Sequence, residues 1–328
     1  MSEVKVNTVL GPISPAQMGV TLVHEHITYG YPGWEGDQTI VPFDHRTIVD
    51  NGVALLKELK GLGLGTYIDA TPLDGGRNIE VLKEVSEKSG VNIICSTGYY
   101  FEEEGASAYW KFHAKFGDIR DQLYELFMKE VSVGIRGTGI KAGVVKVGTS
   151  HNVITDYEKL MLGAAARVQK DAGVPIITHT QGGSMGPQQA ELLIAAGANP
   201  KNIQIGHMSD NLDIAYQLKT LEQGVYVAWD RMGLEVLANC PRDVDRYPVM
   251  LELIAKGYAN RLLISHDTIG TWLGRMPNVP EMALPFIANW HPTHLFKNII
   301  PALKQGGATD AQIKTIVEDN PRRLFEGR

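Results

Sequence analysis

Residues 19–27 read Gly-Val-Thr-Leu-Val-His-Glu-His-Ile, an apolar run with β-branched residues that closes on two histidines one residue apart. Side chains alternate faces along a strand, so His24 and His26 are expected on one face and Glu25 on the other. Two imidazoles side by side at the end of a buried strand are half of a metal site. The ordinary alternative is one satisfied core histidine beside one loop histidine. Which holds depends on whether later strands bring further ligands.

Outward from that stretch one rhythm repeats. Short apolar strands at 19–26, 66–71, 91–100, 142–149, 174–180, 203–208, 225–230 and 261–267 alternate with amphipathic helices at 46–61, 78–89, 119–133, 157–171, 187–196, 212–223, 243–256 and 294–305. Near-continuous apolar strands alternating with helices imply a parallel sheet covered by helices. Eight such units in a chain of 328 residues fit a closed (β/α)8 TIM barrel better than an open doubly wound sheet. No Gly-x-Gly-x-x-Gly strand–helix turn occurs, which weakens the dinucleotide-binding alternative. Without a low-complexity segment or Pro/Ser-rich linker, residues 1–328 read as a single domain, with 1–18 a short polar flap and 308–328 a last helix and tail.

Composition narrows the function. An apolar fraction of 44% supplies a sizeable core, and a net charge of −6 gives no reason to expect nucleic acid or an anionic membrane as partner. Residues 1–10 lack a basic n-region and apolar h-region, so no secretory signal is expected. No apolar stretch reaches bilayer-spanning length. Cys95 lies in a strand-like run and Cys240 in an unrelated context, which excludes a disulfide framework and fits a reducing cytoplasm.

A barrel of this kind carries its chemistry at the carboxyl ends of its strands. There stand His24 and His26 (first strand), Tyr99 and Tyr100 (third), Lys146 (fourth), His179 (fifth), His207 (sixth), Asp230 and Arg231 (seventh) and Asp267 (eighth). Four of the ten histidines collect at one rim, which scattered core histidines would not do. Lys146, inside Gly-Val-Val-Lys-Val-Gly, is costly to bury as an ammonium, and an ammonium has no lone pair for a metal. Burial favours the neutral amine, which can add carbon dioxide and become a carboxylate on a long stem, able to bridge two cations. The alternative is a lysine that reaches the rim or pairs with Asp69 or Asp267; beside four histidines and an aspartate the bridging role is preferred.

Nearly end to end, the chain resembles the phosphotriesterase family of the amidohydrolase superfamily, including its phosphotriesterase-like lactonases. The resemblance is carried by Gly-Val-Thr-Leu-Val-His-Glu-His at 19–26, Gly-Thr-Gly-Ile-Lys-Ala-Gly-Val-Val-Lys at 137–146 and Val-Pro-Ile-Ile-Thr-His-Thr at 174–180. Ile-Gly-His at 205–207, Ile-Ser-His-Asp at 264–267 and Asn-Pro-Arg-Arg-Leu-Phe at 320–325 continue it. It implies two divalent metal ions, zinc first, with iron, cobalt or manganese as alternatives. His24, His26 and Asp267 would hold the buried metal and His179 and His207 the more exposed one, bridged by N6-carboxylated Lys146 and a hydroxide. Asp267 would take the proton of that nucleophile and Asp210 relay it outward. A homodimer is the family expectation.

One departure bears on substrate. The organophosphate-specialised members carry a histidine after the aspartate of strand seven, whereas this chain reads Asp230-Arg231-Met-Gly-Leu before a short loop, which is similar to the lactonases. Arg231 is expected at the pocket rim, orienting substrate or holding the eighth loop, or else in a salt bridge with Asp230. Tyr100 stands where the lactonases place a tyrosine near the hydroxide and the lactone ring oxygen; a packing role is the alternative. The loop at 268–292 carries Trp272, Met276, Met282, Phe286 and Trp290 and reads as a lid over an apolar acyl or aryl group. Tyr29, Tyr31 and Trp34 add to it, while 102–104 reads as a solvated acidic edge and His291 and His294 as capping or packing residues. The expected function is hydrolysis of lactones, acyl-homoserine or other alkyl lactones, with promiscuous phosphotriester hydrolysis. Alternatives are a phosphotriester or phosphodiester hydrolase or a carboxylic esterase on the same metals, or a non-catalytic metal-stabilised binding protein.

Overall fold

The computed structural model describes residues 4–327. Its centre is a parallel sheet of nine strands that curls into a TIM barrel: β3 (Val20–Tyr29), β4 (Leu64–Asp69), β5 (Asn92–Gly98), β6 (Val144–Thr149), β7 (Ile176–Thr180), β8 (Ile203–Ile205), β9 (Tyr226–Trp229), β10 (Leu262–Ile264) and β11 (Ile269–Trp272). Strands β3 to β10 are neighbours in chain order, the arrangement that successive β–helix–β units give when each strand is added beside the last. The helices between them form where expected. Helix Asp156–Ala172, for example, opens on a Thr155–Glu158 capping box and stops at Gly173 in the left-handed region.

Where the ring closes, the eighth strand is broken. β10 ends at Ile264, and β11 resumes five residues later in parallel register with His26–Tyr29 of β3. Between them the closure is made by Asp267 N–H donating to the His24 carbonyl (3.0 Å) and His26 N–H to the Thr268 carbonyl (2.9 Å). This corrects two expectations. β3 does not end at the histidines but continues to Tyr29, because β11 gives it a partner there. The stretch at 268–292 accordingly starts as strand, not loop, before its 3-10 turns at Glu281–Ile287.

Two hydrophobic layers hold the barrel. Outward side chains such as Tyr67, Ile93, Val145, Val227 and Trp229 pack under the helices, while Val23, Ile68, Ile94, Val144, Ile177, Tyr226 and Leu263 fill the interior. Each is buried, at about 25 cal/mol per Å² of apolar surface removed from water. The first segment is not the polar flap expected of it. Val6–Thr8 (β1) and Gly11–Ile13 (β2) pair as a hairpin, and Val6 and Met18 join the interior cluster. Leu324 and Phe325, from helix Asn320–Glu326, reach the same cluster, so the first and last described segments plug the floor and leave the opposite mouth for chemistry. No helix among the described residues is long and apolar enough to cross a membrane.

Candidate active site

At the mouth, two turns that carry candidate ligands leave the strands abruptly. His207 and Asp267 both have φ +56°, the left-handed region that costs a non-glycine residue about 1 kcal/mol. Gly206 makes the first turn possible, since a Cβ there would overlap the Thr178 carbonyl oxygen of the neighbouring strand. β3 contributes through an irregularity of its own. Its register against β4 shifts between Leu22 and Glu25, so Val23 packs into the interior while the adjacent His24 also faces the mouth.

His24, His26, Lys146, His179 and His207 are all buried, and together with Asp267 they line one cavity. The Asp267 carboxylate stands at its base. Its Oδ1 lies 3.1 Å from His26 Nε2 and 3.4 Å from His24 Nε2, and its Oδ2 lies 3.6 Å from His207 Nε2. Atoms sharing one tetrahedral zinc are about 3.3 Å apart, given zinc–ligand bonds near 2.0–2.1 Å. His24, His207 and Asp267 therefore present ligand atoms within 4.8 Å of one another at the spacing a shared cation needs.

The imidazoles are oriented from behind. Asp230, buried, accepts from His24 Nδ1 (2.7 Å) and from both His207 Nδ1 (3.0 Å) and His207 N–H (2.6 Å). Burial and the nearby Asp267 push the Asp230 carboxyl well up, opposed by Lys146 and the His207 N–H; in its ionised form it can only accept, and then both Nδ1 atoms carry protons and both Nε2 lone pairs point into the cavity. Thr71 Oγ1 sits 2.8 Å from His26 Nδ1, and Gln181 Oε1 holds His179 Nε2 at 2.7 Å. The His179 ring is sandwiched by Phe101 (stacked, 4.6 Å) and edge-on Tyr100 (4.8 Å) and lies 4.4 Å from the His207 ring. His207 Nε2 has no hydrogen-bond partner although it is buried, so its lone pair is open to a cation. Burial, reinforced by Lys146 and Arg231, holds His24, His179 and His207 well below the usual histidine range, so these imidazoles are neutral and free to coordinate. The donor set fits divalent metals.

Lys146 Nζ lies 2.8 Å from His24 Nε2 and not against Asp69, whose oxygens accept from Ile27 and Thr71 N–H. Burial pushes its ammonium down toward the neutral amine. Arg231 is not at the rim. It is buried and spans two carboxylates, Nε to Asp267 Oδ2 (3.0 Å) and Nη1 to Asp210 Oδ2 (2.9 Å), and makes no salt bridge with Asp230. That guanidinium, which stays protonated, stands between Asp267 and Asp210, whose other oxygen takes Arg246 at 3.4 Å. Asp210 thus stands as an anchor in an ion-pair chain rather than as a free relay. Burial opposes ionisation of Asp267; coupling to His207 and His24, the His26 hydrogen bond and Arg231 hold the carboxyl well below its ordinary value, and where those imidazoles are neutral the hydrogen bond and the guanidinium are what keep it ionised. With the imidazoles neutral, Arg231 is the cation that persists. Tyr100 is half-buried, and burial beside Tyr29 and Tyr31 pushes its phenol well above 10, so it remains a neutral donor.

Above these groups the cavity measures about 530 Å³ and is mostly apolar, with Leu234, Leu237, Ile269, Met276, Val279 and Trp290 on its walls. A second cleft, about 710 Å³, opens beside Trp34 and Phe43, away from the histidines. Its buried Arg77 is already satisfied by the Glu130 carboxylate at 2.7 and 2.8 Å. The residues not singled out from sequence are the supports: Thr71, Gln181, Arg246 and the orienting role of Asp230. Only Asp230 had a signal, as an acid at a strand end.

The sequence signature of the Phosphotriesterase family matches residues 4–325. An organophosphorus hydrolase structure from Deinococcus radiodurans is 49% identical, with a TM-score of 0.97 over 99% of this chain and 97% of that one. A mutant of a PTE-like lactonase from the same organism is 48% identical, with a TM-score of 0.96; the match covers 98% of this chain and 99% of that one. The aryldialkylphosphatase of Saccharolobus solfataricus is 30% identical over 95% of this chain and 96% of its own. Barrel, donor set and relatives agree, and the chain belongs to the phosphotriesterase family of metal-dependent hydrolases.

Proposed function

We propose that this protein opens lactones, acyl-homoserine or other alkyl lactones, with phosphotriester hydrolysis as a promiscuous activity, using two divalent cations. The observation that carries the reading is the position of Asp267, where the histidine cluster, the Arg231 guanidinium and an apolar cavity meet. His24, His26, His179, His207, Asp267 and a carboxylated Lys146 would hold the ions, zinc first. Bound divalent cations supply a water that ionises near neutral pH and a Lewis acid for a carbonyl or phosphoryl oxygen.

The chain's own residues do the rest. Asp267 accepts the nucleophile's proton on its carboxylate and returns it to the leaving alkoxide. Asp230 keeps His24 and His207 in the tautomer that presents Nε2. Arg231 fixes Asp267 Oδ2. Tyr100, a neutral donor at the cavity wall, hydrogen-bonds an ester or ring oxygen, and the apolar walls take an alkyl chain while excluding water. A binding protein without turnover would need no proton acceptor among its ligands.

Phosphotriester hydrolysis as the main activity is the second reading, favoured by the aryldialkylphosphatase and organophosphorus hydrolase relatives. The test is a panel of alkyl lactones, aryl esters and a neutral aryl dialkyl phosphate, with elemental analysis of the same preparation. About two metals per chain and the highest kcat/KM on a lactone are expected. A phosphotriester kcat/KM above every lactone would move the assignment, and full activity with one metal per chain would end the binuclear scheme.

A further inference from the structure

Glu25, the residue between the two histidines of β3, is completely buried and faces the broken closure of the barrel. Its carboxylate accepts five hydrogen bonds from three residues of one short segment. Oε1 takes Ser265 Oγ (2.8 Å), His266 N–H (2.8 Å) and His266 Nδ1 (2.9 Å); Oε2 takes Thr268 N–H (2.9 Å) and the Thr268 hydroxyl. These donors flank Asp267 on both sides. The backbone amides around it are then fully assigned, since Ser265 N–H goes to the Trp229 carbonyl and Asp267 N–H to the His24 carbonyl.

In an unbroken strand the amides of His266 and Thr268 would seek ladder partners, and Asp267 would lie in extended backbone with its side chain turned by the pleat. Instead the Glu25 carboxylate replaces the missing ladder acceptors, and Asp267 sits at φ +56° with its carboxylate against His24 and His26. A buried amide left without an acceptor is destabilising, so the acceptors that Glu25 supplies offset the backbone strain being held. The same residue ties the histidine-bearing strand to the aspartate-bearing turn, so it fixes the distance between ligands drawn from opposite ends of the chain.

We infer that Glu25 is a positioning residue for Asp267: it holds the Ser265–Thr268 break open in the one backbone shape that aims the aspartate at the metal site. The inference rests on the reading of Asp267 as a metal ligand and proton acceptor.

Glu25→Gln keeps the shape but turns a donor toward two donors on one side. Metal retention against a chelator and kcat should each fall about 10–100-fold, as loss of a residue supporting a ligand typically does, with KM within about twofold. In an Asp267→Asn background the same substitution should cause no further loss of metal retention. A further tenfold loss there would mean that Glu25 acts through His24 or His26 and would overturn the inference, as would wild-type retention and kcat in the single variant. If Asp267→Asn alone turns over normally, the reading of Asp267 fails whatever Glu25 does; if it is inactive while Glu25→Gln is not, only the inference fails. Should Glu25→Gln not fold, Thr268→Val decides, because it removes one of the five donors and leaves packing volume alone. A several-fold loss of retention supports the inference, and no loss refutes it.

Discussion

Replacing Arg231 by histidine tests the electrostatic chain behind the site. The guanidinium is buried between Asp267 and Asp210 and is the lasting cation beside Asp267. Removing one partner of a buried ion pair costs about 3–5 kcal/mol. Asp210 keeps Arg246, and an imidazole can still reach one carboxylate, so the low end, about 3 kcal/mol, is expected. An unfolding entropy of about 2.1 cal/mol/K per residue gives about 0.7 kcal/mol/K for 328 residues, hence a Tm lower by about 4 °C. The catalytic effect should differ between the two substrates. Imidazole titrates near neutrality and can carry a proton from Asp267 to Asp210, which arginine cannot. Phosphotriester turnover should therefore gain relative to lactone turnover by at least about tenfold, below the about 10²–10⁴ of a full general acid–base contribution. The assay is kcat/KM for one alkyl lactone and one aryl dialkyl phosphate in both proteins, with calorimetric Tm alongside. An unchanged ratio, both activities falling together with Tm, would show that Arg231 only holds the loop and would remove its bearing on substrate choice.

Three further substitutions or probes follow from the same geometry. Asp267→Asn should still fold, with a Tm lowered by no more than the Arg231 substitution does because Arg231 keeps Asp210, yet lose at least about 10²–10⁴-fold in kcat, the usual cost of removing an acid–base group; turnover near wild type would place the proton elsewhere. Asp230→Asn presents a donor to one of the two Nδ1 protons it now accepts and should weaken metal retention about 10–100-fold, read by chelator competition; unchanged retention would mean the tautomers are fixed without it. Burial pushes the thiols of Cys95 and Cys240 up to about 12, so at pH 8 about one in 10⁴ is thiolate and the native protein should not react with an aromatic disulfide within an hour; rapid stoichiometric labelling would contradict the burial of both.

The eight strand–helix units, the barrel and the set of histidines at its rim were legible because they depend on periodicity, which is local. Alternation and apolar run length identify a strand wherever it ends up. Lys146 was legible for a related reason, since a lone cation in an apolar run is an anomaly at any position. The resemblance of the 19–26, 174–180 and 264–267 motifs to one family then tied those residues to a metal site. The closure of the ring was not legible. β10 and β11 read as one strand followed by a loop, because the break depends on Glu25, some 240 residues earlier in the chain.

What the sequence determined by itself is therefore the inventory: which residues could ligate, on which strand each stands and that they share one end of a barrel. What only the tertiary structure decided is orientation and pairing. Arg231 reads as a rim residue in sequence, yet it lies buried between Asp267 and Asp210 because strands six, seven and eight bring three separate turns together. Asp230 reads as a strand-end acid, yet it sets the tautomer of two histidines from different strands. Val6 reads as part of a polar flap, yet it seals the barrel floor with Leu324 and Phe325. Each depends on contacts between segments far apart in the chain, and a hydrogen bond or packed pair forms from proximity in space, which local periodicity does not encode.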